Sequence, residues 1–281
     1  MRKEFSMDFL LVEKKLAAFL SEDIGHGDLT SSTIFPKDYT GTAKVISKDS
    51  GVLSGANLIT HVYQLISEDV KVTLHKHDKD LINSGDVLAT ISGPVRFILT
   101  GERVMLNLIQ RMSGIATQTN EAIKALNNPA IRICDTRKTT PGFRLFEKYA
   151  VTCGGGFNHR YGLYDGVMIK DNHIAFAGSI IQAVEKIKLT AGHMVPIEVE
   201  TESEEQVKEA VNAKANIIMF DNQTPKKIHE LSKLVPAHIT TEASGGITLE
   251  NLHQYSTCPV HYISLGFLTH SVHSLDISLI I

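Results

Sequence analysis

The feature that most constrains the fold is a repeat in the second half of the chain. From about Ala130 onward, short apolar runs each end in polar residues and give way to a helical pattern. They are IRIC before Asp135, GVMI before Lys170, PIEVE before Thr201, NIIMF before Asp221, HITTE before Ala243-Ser244, and HYISL before Gly266. Their spacing of roughly 20–35 residues suits a strand, a helix and two loops, so the segment predicts βα units around a parallel sheet. Parallel strands are covered on both faces, which explains why the runs are continuously apolar instead of alternating. About six units fall short of the eight of a complete (β/α) barrel. An incomplete barrel is the first expectation and an open doubly wound sheet the second.

The preceding residues follow another pattern. Phe9, Val12, Leu16 and Phe19 recur at helical spacing, while Glu4, Asp8, Glu13, Lys14 and Lys15 interrupt the apolar stretch; this reads as an amphipathic helix and not a signal peptide. EDIGHGDLTSSTIF is rich in turn formers. Alternating runs at Thr42–Ser47, Val70–Leu74 and Val87–Ile91, separated by turns such as Ser84-Gly85-Asp86, predict short strands. A long helix is expected over Gly101–Leu126, with Gly114 as a candidate break. The fold class is therefore α/β. An N-terminal α+β sandwich domain is expected over 1–112, with the C-terminal tail 268–281 packing on it, and an incomplete (β/α) barrel of parallel strands over 113–267.

A chain of 281 residues that is 43 % hydrophobic and 21 % charged can bury a sizeable core as one domain or two. The formal net charge is −3, and no basic run interleaves with aromatics, so neither nucleic acid nor a membrane surface is an expected partner. No apolar run approaches the roughly 18 residues needed to span a bilayer. Cys134, Cys153 and Cys258 lie far apart with no CxxC. They read as small buried hydrophobes in a reducing cytoplasm, against a disulfide or zinc framework.

Chemistry concentrates where the predicted strands end. Asp135 with Arg137, Lys170, Glu200, Asp221 and Ser244 would form a ring at the C-terminal mouth of a barrel, where barrel enzymes do their catalysis. Between Asp135 and His173 six lysines and arginines face four acids, a formal +2 in a negative chain. Converging cations need an anionic ligand, because an unpaired charge in a cleft is costly. Arg137, Lys138, Arg160 and Lys170 read as ligand-facing; Arg144 and Lys148, on a helix beside Glu147, read as solvated surface charges. Gly154-Gly155-Gly156, followed by His159-Arg160, would let the backbone approach an anion and aim N–H groups at it. Glu198 and Glu200 fall on one strand face by period 2 and, with Asp221, suit Mg²⁺; a buried salt bridge to Lys170 or Arg137 is a compatible alternative. Glu242-Ala243-Ser244-Gly245-Gly246, with Gly266, fits a phosphate cradle late in a barrel. The residues by themselves describe a Mg²⁺-dependent enzyme acting on a phosphosugar and a second anion.

At these positions the chain resembles the quinolinate phosphoribosyltransferase family, the carboxylating nicotinate-nucleotide pyrophosphorylases. The strings that carry the resemblance are EDIGHGDLTS (22–31), GERVMLNLIQRMSGIAT (101–117), DTRKTTPGFRLFEKYAV (135–151), GGGFNHRYGLYDGVMIKDNHI (154–174), IEVE (197–200), FDN (220–222), EASGGI (242–247) and ISLGFLTHS (263–271). Cys153 departs from the alanine many relatives carry there. The resemblance implies transfer of phosphoribose from phosphoribosyl pyrophosphate to quinolinate with decarboxylation. Nicotinate mononucleotide, pyrophosphate and CO₂ result, on the route to NAD. It also implies that Arg103, Arg137, His159, Arg160 and Lys170 surround the quinolinate carboxylates, and that Lys138 and Lys170 reach phosphates. Glu200 and Asp221 would hold Mg²⁺ and pyrophosphate, while Ser244, Gly245, Gly246 and Gly266 bind the sugar 5′-phosphate. Arg103 would enter from the neighbouring subunit of a homodimer, which could assemble further. The fold it implies is an N-terminal α/β sandwich plus an incomplete α/β barrel.

Overall fold

The computed structural model describes Met7 and residues 9–281, with Phe9 described by its backbone alone. Glu4 and Asp8, part of the argument against a signal peptide, lie outside the described residues. By internal contacts the chain divides into two compact units, the first comprising Met1–Asn120, Thr140–Gly155 and Ser271–Ile281, the second Glu121–Thr139 and Gly156–His270.

The first unit opens with α1 (Phe9–Ile24) and α2 (Leu29–Ile34), then β1 (Thr40–Ser47), β2 (Gly51–Val52) and α3 (Ala56–Ile66). β3 (Lys71–Leu74), β4 (Leu81–Ile82), β5 (Val87–Pro94) and the 32-residue α4 (Val95–Leu126) follow. Val12, Leu16 and Leu20 bury one face of α1. α2 forms inside the stretch read as turns because Asp28 caps it, its carboxylate accepting the Ser31 N–H at 2.9 Å. α4 runs through Gly114 without a break. A Cβ there would come within 3.0 Å of the His273 carbonyl carbon, so the glycine serves close packing instead. α4 also serves the β2 loop: Thr117 Oγ1 accepts the Val52 N–H at 2.9 Å and Ser113 Oγ that of Ser54 at 3.1 Å.

In the second unit β6 (Arg132–Cys134) comes first. The chain then passes through α5 (Arg144–Cys153), which groups with the first unit. β7 (Val167–Ile169), α6 (Asp171–Ala177), α7 (Ile180–Lys188), β8 (Ile197–Thr201), α8 (Glu204–Asn212), β9 (Ile217–Asp221) and α9 (Pro225–Leu231) follow. β10 (Thr240–Ser244), β11 (Tyr262–Ser264) and α10 (Phe267–His270) complete this unit, and β12 (Ile277–Ile280) returns to the first, where the antiparallel sheet runs β12-β1-β5-β3.

The six parallel strands are ordered β6-β11-β10-β9-β8-β7. Sequence neighbours are spatial neighbours from β7 to β11, and the first strand lies beside the last. A doubly wound sheet would reverse direction at a switch point. Sequential winding that brings β6 next to β11 is instead the closure of a barrel, left incomplete between β6 and β7. An extended segment at Phe157 adds one parallel bridge to Cys134 on that open side.

α5 belongs with the first unit for visible reasons. Glu147, wholly buried, accepts from Arg111 Nη2 at 2.6 Å and from the Thr140 N–H at 3.0 Å, and Tyr149 Oη donates to Asp78 at 2.6 Å. Lys148, expected at the surface, is fully buried, and Arg144 is half-buried. Gly154 ends α5 with its N–H on the Ala150 carbonyl, and a Cβ on it would meet Thr119 Cβ at 2.6 Å. The triple glycine thus ends and packs a helix. All three cysteines are buried and none forms a disulfide. Among the described residues no helix is long and apolar enough to cross a membrane.

Candidate active site

The C-terminal ends of the parallel strands open on a cavity of about 460 Å³. Of the residues singled out in the sequence, Arg137, Lys138, His159, Arg160, Lys170, Glu200, Asp221, Ser244, Gly245 and Gly246 line it. Two do not. Gly266 sits just after β11, where a Cβ would come within 3.2 Å of Lys138 Cδ and of the His270 ring, so it leaves room for the lysine. Arg103 is exposed on α4 and lines a cleft of about 340 Å³ within the first unit, with Glu22, Asp23, Asn107 and Arg111 among its walls.

Each side chain is placed by local structure. Asp135, fully buried, accepts the His159 N–H at 2.9 Å and Asn158 Nδ2 at 2.6 Å, which holds the chain at 158–160 against the end of β6. Asp135 itself therefore anchors the wall and does not line the cavity. The loop carrying Arg137 and Lys138 is pinned by the Lys138 N–H on Thr136 Oγ1 at 3.0 Å and by Thr269 Oγ1 donating to the Lys138 carbonyl at 2.8 Å. Lys170 is the N-cap of α6, and its N–H is received by His173 Nδ1 at 2.9 Å. His173 thus caps a helix outside the cavity. At the β9 and β10 ends, Asn222 adopts φ +53° and gives its N–H to the Ser244 carbonyl at 2.8 Å. Gly245 crosses so close that a Cβ would lie 2.7 Å from Asn222 N, at φ +81°.

The charges are unbalanced in a patterned way. Arg137 Nε and Arg160 Nε are buried with no hydrogen-bond partner among the described residues. Burial, then the neighbouring charge of Arg137, lowers the Arg160 pKa below its usual value. Two guanidinium groups held near each other, each with an unsatisfied Nε, suit an anion with more than one oxygen pair. On the other wall Lys170 Nζ meets Glu200 Oε2 at 2.8 Å. The Asp221 carboxyl is raised by burial, then by the charge of Glu200, against the opposing pull of Lys170. One lysine for two acids leaves negative charge over, and hard oxygen donors in that state fit a divalent cation such as Mg²⁺. Of the two compatible readings for these acids, the salt bridge to Lys170 is formed.

Sequence reasoning put Glu198 beside Glu200 on one strand face, and both do point inward. It missed that they serve different levels, since Glu200 lines this cavity and Glu198 does not. Glu242 was seen only as the start of a glycine-rich turn, yet it is buried beside Glu198. Asn222 was noted only within FDN. The signal available for it was its place after a strand-end aspartate, where asparagine tolerates a left-handed backbone.

A parallel barrel whose strand-end mouth holds two neighbouring arginines, a lysine–glutamate salt bridge beside a second acid and a glycine turn suits an enzyme acting on anionic substrates. Comparison with known proteins then specifies the family. Residues 28–113 match the N-terminal domain of quinolinate phosphoribosyl transferase and residues 115–280 match its C-terminal domain. A probable nicotinate-nucleotide pyrophosphorylase [carboxylating] of Bacillus subtilis is 56 % identical over 273 residues, 97 % of this chain and 94 % of that protein. The crystal structure of NadC from Streptococcus pyogenes aligns at TM-score 0.95 with 38 % identity, over 99 % of this chain and 98 % of that one. The nicotinate-nucleotide pyrophosphorylase of Francisella tularensis aligns at 0.91 with 36 % identity, over 98 % and 97 %. The chain belongs to the quinolinate phosphoribosyltransferase family.

Proposed function

We infer that the chain transfers phosphoribose from phosphoribosyl pyrophosphate to quinolinate and decarboxylates the adduct, yielding nicotinate mononucleotide, pyrophosphate and CO₂ for NAD synthesis. It is a pentosyltransferase. The observation that carries the choice of acceptor is the Arg137–Arg160 pair, whose buried Nε groups lack partners in a cavity that also offers Lys138 and Lys170. A pyridine dicarboxylate supplies the matching oxygens.

The chemistry follows from charge placement. The bond from ribose C1 to pyrophosphate breaks while the quinolinate nitrogen bonds to C1, so positive charge grows on the sugar and negative charge on the leaving group. Lys138 and Lys170 stabilise the departing phosphates, and Arg137 and Arg160 hold the acceptor in line. Ribosylation makes the ring nitrogen cationic. That charge stabilises the carbanion left when the adjacent carboxylate departs as CO₂, and the carbanion then takes a proton. Ser244, Gly245 and Gly246 receive the 5′-phosphate at the β10 turn. Glu200 and Asp221 are the residues that would hold Mg²⁺, which when bound neutralises the pyrophosphate.

Arg103 is the acceptor-binding residue absent from the cavity wall, and in this reading a second subunit supplies it, making the homodimer the active unit. Three buried cysteines outside any disulfide support a reducing, cytoplasmic setting. The test is to supply Mg²⁺ and phosphoribosyl pyrophosphate with quinolinate, nicotinate or nicotinamide in turn. Turnover with quinolinate alone, with release of CO₂, is expected; activity with nicotinate but not quinolinate overturns the reading.

A further inference from the structure

A second cavity of about 320 Å³ lies at the N-terminal ends of the parallel strands, and Glu198 and Glu242 line it. Both are nearly sealed from solvent, at 3 % and 4 % exposure. Between them and the substrate cavity stands His159. Its Nε2 lies 2.9 Å from Glu198 Oε2 and 3.8 Å from Glu242 Oε1. On the opposite edge of the ring, Nδ1 accepts the Arg160 N–H at 2.8 Å. A ring nitrogen that accepts a hydrogen bond carries no proton, so the imidazole is neutral with its proton on Nε2, donated to Glu198.

The three side chains bring ligand atoms within 4.8 Å of one another, the grouping of a metal site. The tautomer argues against that use, because the Nε2 lone pair an ion would need is occupied by the proton. Nor are these acids well chosen for stability. Among the described residues Glu198 Oε1 has no hydrogen-bond partner although it is buried, and two adjacent carboxyls in a core are costly. A feature that costs stability and ends on the backbone of a ligand-facing arginine points to positioning.

We propose that Glu198, backed by Glu242, is a positioning residue for the acceptor half of the site. It fixes His159 by Nε2, and His159 fixes the Arg160 backbone by Nδ1. The Arg160 guanidinium is anchored independently by its Nη1 donating to the Gly166 carbonyl at 2.9 Å. Arg160 is thus held at both ends, its Nε left to meet a carboxylate, and His159 adds no charge of its own. The identity of the acceptor rests on the quinolinate reading; the tautomer does not.

Two measurements test this. In protein carrying ¹⁵N-labelled histidine, NMR of His159 at neutral pH should show a bare Nδ1 and a protonated Nε2. A doubly protonated ring or a proton on Nδ1 overturns the proposal whatever the enzyme's acceptor is. In kinetics, Glu198→Leu should raise KM for quinolinate about tenfold, the worth of one buried hydrogen bond, with KM for phosphoribosyl pyrophosphate unchanged. Glu198→Gln keeps an acceptor oxygen and should restore the quinolinate KM to within about twofold. Equal rises in both KM values, or no rise in Glu198→Leu, overturn it. A wild-type protein inert toward quinolinate would count against the acceptor assignment, and the NMR result would still decide the positioning.

Discussion

Arg137 is the side chain at which the proposed function separates binding from folding. Its buried Nε has no hydrogen-bond partner among the described residues, so replacing it removes little that holds the fold. Arg137→Ala should lower kcat/KM for quinolinate at least about a hundredfold, given roughly 1.5–3 kcal/mol for each charge-assisted hydrogen bond. Its melting temperature should stay within about 2 °C of the parent, a shift below ~1 kcal/mol for a chain of this size. A comparable fall in stability would make Arg137 structural. Glu242 makes the opposite case. Burial, then the charge of Glu198, pushes its carboxyl up to about 7 from 4.5. The folded chain keeps a proton that the unfolded chain releases, so this stability is present in full below 4.5 and is lost as pH rises through about 7. Glu242→Gln cannot ionise, so relative to the parent it should be more stable at pH 8 than at pH 5. Thermal melts that differ equally at both would show that Glu242 titrates ordinarily. The basic residues of the cavity were legible because strand ends announce themselves. Glu242 was not, because burial beside another acid depends on pairing across strands.

Elements follow the same divide. The six parallel strands were readable as apolar runs, since burial on both faces is written into every residue of such a strand. Strands of two residues, β2 and β4, leave no periodicity to read. Gly114 shows the limit of punctuation: its role depends on the carbonyl of a residue far along the chain. The β10 turn supports a prediction at this scale. Gly245 has φ +81°, and a Cβ would press on Asn222. Gly245→Ala should cost about 1–2 kcal/mol for the left-handed backbone and raise KM for phosphoribosyl pyrophosphate while sparing that for quinolinate. Melting curves and substrate titrations of the variant would check both halves; a raised quinolinate KM instead would move the phosphate elsewhere.

At the scale of the whole molecule the proposed function requires Arg103 to come from a second subunit. It lies in the first unit and is absent from the walls of the strand-end cavity. If it acts across a subunit boundary, Arg103→Ala and Lys170→Ala should each be nearly inactive alone. Mixed and allowed to exchange subunits, they should regain activity, because a heterodimer assembles one intact site. No recovery from demonstrably mixed dimers would sink the shared-site reading.

By itself the sequence determined the βα repeat, the strand-end ring of charges and the family, because hydrophobic period and motif spacing are properties of neighbours along the chain. Tertiary structure alone decided that β6 closes beside β11, that α5 folds with the first unit and that Lys148 is buried. It also decided that Glu198 and Glu242 meet behind His159. These depend on contacts between residues far apart in the chain, where register and packing, not local preference, set what lies against what.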